Sequence, residues 1–66
     1  PHEKLSPREF RVLCLLAEGK SVKEAGAELF ISHKTVTTYK LRLMEKMEMK
    51  TIAELTRYAV QNKLID

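Results

Sequence analysis

Sixty-six residues, 44% of them hydrophobic, suffice for one small domain with a modest core and exclude a chain that is disordered throughout. A single cysteine, Cys14, excludes an intrachain disulfide and fits a reducing, cytoplasmic setting, and no apolar run nears the roughly 20 residues of a membrane span. The net charge of +3 is localised: residues 1–31 and 51–66 each balance, whereas 32–50 carry Lys34, Lys40, Arg42, Lys46 and Lys50 against Glu45 and Glu48.

Four helices are expected, each with its own start signal. Ser6, Pro7 and Glu9 make a capping box with proline at the first helical position, and Leu5 and Phe10 occupy the hydrophobic-staple positions. This opens a helix over about 7–18 that places Phe10, Leu13, Cys14 and Ala17 on one face and stops at Gly19. Ser21 and Glu24 form a second box, for a helix over about 22–29. Ser32 caps a third, over about 33–48, with Ile31 and Val36 at its staple positions. Thr51 and Glu54 open a fourth, over about 52–62. No segment alternates like a strand, so the fold class is all-α, a four-helix bundle. Residues 1–5 read as a linker remnant with a frayed His2, residues 6–66 as the domain, and a start at Pro1 is expected of a fragment.

The second and third helices lie only about three residues apart, which forces their axes to cross steeply. Gly26 inside the second helix costs about 1 kcal/mol relative to alanine, and close approach of the third helix would explain it. Two short helices, a tight turn and a small residue at the crossing describe a helix-turn-helix. On the third helix, Val36, Leu43 and Met47 form a core stripe flanked by Tyr39 and Lys40. Lys34, Thr37, Thr38, Leu41 and Glu45 lie opposite, with Arg42 at the edge. A major groove accepts such a helix, and its N-terminal residues touch base edges. Threonine can hydrogen-bond a base or lay its methyl on thymine, and Leu41 suits a thymine methyl. The amides and dipole at Ser32 favour a phosphate. The basic excess agrees with a polyanion partner, although an ordinary solvated face also carries such charge.

The stretch "LSPREFRVLCLLAEGKSVKEAGAELFISHKTVTTYKLRLMEKM" closely resembles the LuxR-type helix-turn-helix of NarL/FixJ-class response regulators. The resemblance runs from Leu5 to about Leu64, through Leu5, Arg8, Glu9, Gly19, Glu24, Leu29, Ile31-Ser32, Thr35-Val36 and Lys46. It implies a DNA-binding, transcription-regulating output domain behind a phosphorylatable receiver domain, with double-stranded DNA as partner and RNA polymerase a further candidate. Base contacts are implied for Thr37, Thr38 and Leu41, and phosphate contacts for Lys34, Thr35, Tyr39 and Arg42. Three positions depart from the family pattern: Leu41 is basic in many members, Ala25 is usually a larger aliphatic, and Tyr39 is often histidine.

The resemblance also implies a symmetric homodimer through the fourth helix. There Ile52, Leu55, Tyr58 and Ala59 form a core side, while Ala53 and Val60, flanked by Thr56, Arg57 and Leu64, form a second strip. The interface is expected at Ala53, Arg57 and Val60, although a small apolar strip is also normal on a monomer. An enzyme is not expected. Cys14 reads as a buried small hydrophobe, and His2, His33 and Cys14 lack metal-ligand spacing. No phosphate loop or paired acid–base set appears, so neither metal nor cofactor is expected. The competing reading is a helical protein-binding adaptor with an acidic partner.

Overall fold

The computed structural model describes residues 2–66, which form a 3-10 turn (His2–Lys4) and four helices, α1 (Pro7–Ala17), α2 (Val22–Leu29), α3 (His33–Met47) and α4 (Ile52–Gln61). All four starts are the expected ones. Ser6 Oγ accepts from Glu9 N–H at 3.2 Å while Glu9 Oε1 accepts from Ser6 N–H at 2.9 Å. The Ser21–Glu24 and Thr51–Glu54 boxes close in the same reciprocal way, and Ser32 Oγ accepts from Thr35 N–H at 3.1 Å.

The helix ends share one device that only α1 advertises. Lys20, Ile31, Met49 and Leu64 each donate their N–H to the carbonyl five residues back, at 2.8–3.0 Å, closing the last turn of each helix. The residue before each donor has positive φ. It is Gly19 after α1, but Phe30, Glu48 and Lys63 after the others. A side chain in this conformation costs roughly 1–2 kcal/mol. The compensation lies one residue on, where Ile31, Met49 and Leu64 are all half-buried against the core.

α1 lies at the centre, in contact with α2, α3 and α4. Of its expected core face, Leu13 and Ala17 are buried, whereas Phe10 and Cys14 sit half-buried at the margin. Cys14 is therefore not the buried hydrophobe expected. Val12, Leu15 and Leu16 are buried as well, because a helix packed on several sides has no single apolar stripe. Ala25 from α2, Val36, Leu43 and Met47 from α3, and Leu55 and Ala59 from α4 complete the core. Pro1 lies outside the described residues, but the rest of the expected linker is not loose. His2 N–H donates to Tyr58 Oη at 3.2 Å, the His2 Nδ1 lies 2.6 Å from the same oxygen, and the imidazole lies near Phe10. The turn thus docks on α1 and α4 and also lies against α3.

Gly26 marks the tightest approach. A Cβ there would lie 2.7 Å from the Ile31 carbonyl oxygen and 3.4 Å from the His33 nitrogen. What presses on Gly26 is thus the backbone of the turn and the first residue of α3. Alanine is the better helix former, yet here its methyl meets backbone that cannot swing aside. Gly26→Ala is expected to destabilise the domain by about 1–3 kcal/mol in urea unfolding, against the propensity trend.

Candidate nucleic-acid interface

The N-terminal half of α3 is a polar, accessible face held by a buried one. Val36 and Leu43 are fully buried, so the side chains on the far side of the helix must point outward. There Lys34, Thr37, Thr38 and Leu41 are exposed, and Leu41 is 64% accessible despite its aliphatic side chain. Thr35 and Arg42 are also exposed and lie along one flank. Tyr39 on the same flank is half-buried, with part of its ring against the core. The outward side chains named from the sequence thus share one surface, with Tyr39 at its margin. Glu45 stands exposed on the same outward face one turn beyond Leu41. Its carboxylate repels a polyanion, which confines any such contact to the first two to three turns.

The first turn of α3 differs electrostatically from those of its neighbours. Helices α1, α2 and α4 each carry a glutamate in the capping box, whereas α3 has Thr35 there and no acidic residue in its first turn. Thr35 Oγ1 and Ser32 Oγ are 2.9 Å apart. The positive end of the α3 dipole is therefore left without a neutralising carboxylate, beside the exposed Lys34. Both threonines at the centre of the face hydrogen-bond their own helix. Thr37 Oγ1 donates to the His33 carbonyl at 3.0 Å, and Thr38 Oγ1 donates to the Lys34 carbonyl at 3.2 Å.

One lysine of the basic segment is engaged by the domain itself. Lys46 Nζ lies 2.8 Å from Oε1 of Glu9, a residue only 3% exposed. Glu9 thus has two duties, capping α1 and gripping the C-terminal part of α3. The Lys46 ammonium and the Ser6 N–H hold its carboxyl below the usual carboxylate range. Pattern reading missed this tie because the capping role alone accounts for a glutamate three residues after Ser6. The partner stands 37 positions away.

On α4, Ala53, Arg57 and Val60 are exposed, and Val60 is 51% accessible. Ala53 and Arg57 also line a groove of about 330 Å³ with Met49, Glu54, Tyr58 and Gln61. The strip is narrower than its sequence suggests. Thr56 is half-buried, donating to the Ile52 carbonyl at 3.1 Å and lying 3.4 Å from the Ala17 carbonyl, and Leu64 packs on the core.

Residues 3–59 match the family described as bacterial regulatory proteins, luxR family. The chain belongs to the luxR family. The resemblance drawn from its motifs is therefore borne out, as is the all-helical, helix-turn-helix architecture it implied. Among luxR-type relatives, the transcriptional regulatory protein LiaR of Bacillus subtilis (strain 168) is 44% identical over 66 residues, covering 100% of this chain and 31% of LiaR. The DNA-binding transcriptional activator EvgA of Escherichia coli (strain K12) is 42% identical over 62 residues, covering 94% of this chain and 30% of EvgA. BvgA of Bordetella pertussis, a putative positive transcription regulator of virulence factors, is 47% identical over 60 residues, covering 91% and 29%. The chain thus spans about three tenths of the length of these curated relatives.

In this luxR-family domain the Glu9–Lys46 tie is open to direct measurement. Lys46→Met leaves the buried Glu9 carboxylate with the Ser6 amide alone, an expected loss of about 1–3 kcal/mol at neutral pH. Because the folded-state pKa of Glu9 is depressed, its contribution is present above the unfolded value near 4.5 and is lost as pH falls through the folded value. The gap between parent and variant in urea unfolding should therefore be widest near pH 7 and close progressively below about pH 4.5.

Proposed function

We propose that this domain binds double-stranded DNA sequence-specifically by laying the N-terminal half of α3 in the major groove. The observation that carries the proposal is one surface of α3. An acid-free helix start and Lys34 adjoin three outward residues, Thr37, Thr38 and Leu41, that have no role in the core. In this reading those three residues contact base edges, while Lys34, Thr35, Tyr39 and Arg42 contact phosphates. Luxr-family membership and the description of EvgA as a DNA-binding transcriptional activator support it. Residues 6–66, with the docked turn ahead of them, would then be the output domain of a longer cytoplasmic response regulator. A receiver domain would precede it, and RNA polymerase is a further partner. The reading is of a regulator, without catalysis or a cofactor. Two copies would pair through α4 at Ala53, Arg57 and Val60 and set two α3 helices one DNA turn apart, about 34 Å.

Two experiments test these assignments. In a binding selection from random duplexes, Thr38→Ala and Leu41→Ala should each re-rank the preferred sequences, at about 1–3 kcal/mol for a contacted base pair. Lys34→Ala and Arg42→Ala should weaken all duplexes alike and flatten the salt dependence by about one phosphate's worth each. An unchanged ranking for both Thr38→Ala and Leu41→Ala would remove base readout by α3 and favour the acidic-partner adaptor. For pairing, Val60→Asp is expected to abolish self-association on DNA in sedimentation and to weaken binding to a two-half-site duplex far more than to a single half-site. Unchanged values in both assays would exclude α4 as the interface.

A further inference from the structure

A hydroxyl has one hydrogen to give, and on α3 both are already given. Thr37 Oγ1 donates to the His33 carbonyl at 3.0 Å and Thr38 Oγ1 to the Lys34 carbonyl at 3.2 Å. What each threonine can still offer a ligand is an acceptor lone pair and a γ-methyl group. Leu41, 64% exposed between them on the outward face, offers methyl groups alone. The centre of the reading surface therefore has no free hydrogen-bond donor.

The four base-pair edges respond differently to such a surface. Guanine shows the major groove two acceptors, N7 and O6, which need donors. Facing a threonine acceptor or a leucine, they lose their water and gain no partner, but adenine N7 and thymine O4 bear the same cost, so the acceptors alone do not separate the two pairs. Thymine presents a C5-methyl group, which gains by packing against Leu41 or a threonine methyl, and the paired adenine presents an N6 amino donor that a threonine lone pair can accept. Two exposed donors, Lys34 and Arg42, lie one turn to either side of Thr38; in the reading above both are spent on phosphates, which leaves the base-facing centre to the threonines and Leu41.

We propose that Thr37, Thr38 and Leu41 form a methyl reader, selecting A·T pairs through the thymine C5-methyl at the base pairs they cover. This rests on the DNA-binding reading above and states what kind of site that surface recognises. It also assigns the threonines a role opposite to the usual one for a polar residue in a groove, since the hydroxyl serves the helix and the methyl serves the DNA.

The test removes single methyl groups from the DNA, where protein folding cannot interfere. The duplex that emerges best from a random selection is resynthesised with uracil for thymine, one base at a time, and dissociation constants are measured by fluorescence anisotropy. Two or three thymines per half-site should each lose about fourfold in affinity as uracil, the equivalent of one buried methyl at about 0.8 kcal/mol. Thr38→Val, which keeps the methyl and drops the hydroxyl, should retain its uracil sensitivity at its own position. Thr38→Ser, which keeps the hydroxyl and drops the methyl, should lose about fourfold and become indifferent to uracil at its own position. A ranked sequence preference with no uracil effect at any thymine would overturn the methyl reader while leaving base readout intact. Loss of binding in Thr38→Val with retention in Thr38→Ser would also overturn it, in favour of hydroxyl donation. The absence of any ranked preference would overturn it together with the DNA-binding reading beneath it.

Discussion

Everything α3 can present depends on how closely its leading turn presses on α2 at Gly26. The Ile31 carbonyl stands where a side chain would begin, and Ile31 N–H returns a 3.0 Å hydrogen bond to the Gly26 carbonyl. Backbone thus meets backbone at both ends of the contact. A side-chain interface can re-pack when strained, whereas this one has no rotamers to change. The approach of α2 to the start of α3 is therefore fixed by backbone contact, and the burial of Val36 and Leu43 then turns Thr37, Thr38 and Leu41 outward.

The far end of α3 is fixed by a different means. Lys46 reaches the buried Glu9, whose other duty is to cap α1. A helix on a small domain has little apolar area with which to resist rocking, and on α3 three residues, Val36, Leu43 and Met47, are fully or almost fully buried. An ion pair beside that stripe adds direction, because it is satisfied at one rotation of the helix about its axis. Net charge thus overstates what a polyanion meets, since one lysine of the basic segment faces the domain's own carboxylate.

Local signals were readable and distant ones were not. The starts at Ser6, Ser21, Ser32 and Thr51 involve partners three residues away, so a cap and its helix are visible together in the sequence. The ends were expected one residue late for α1, α3 and α4, at 18, 48 and 62. The ends of α3 and α4 are decided by where Met49 and Leu64 find the core, whereas that of α1 is decided at Gly19, the one residue of the set with a conformational preference of its own. The outward set on α3 was legible because Val36, Leu43 and Met47 share one helical face. Val12, Leu15 and Leu16 were missed because the reading of α1 assumed one buried face where three neighbours pack. His2 looked frayed because its partner, Tyr58, lies 56 residues away. The donor state of Thr37 and Thr38 depends on a rotamer, which no residue pattern encodes.

In the proposed reading the exposed Glu45 carboxylate ends the usable face one turn after Leu41, which would leave one copy of α3 three side chains with which to question base pairs. Three fully specified pairs single out about one sequence in 64, while even a small genome offers about 10⁶ competing sites. A reader this short is too brief to name an address alone. Whatever selectivity the full protein achieves must come from adding a second such helix or from the mechanical character of the DNA between them, and neither is written in α3 itself.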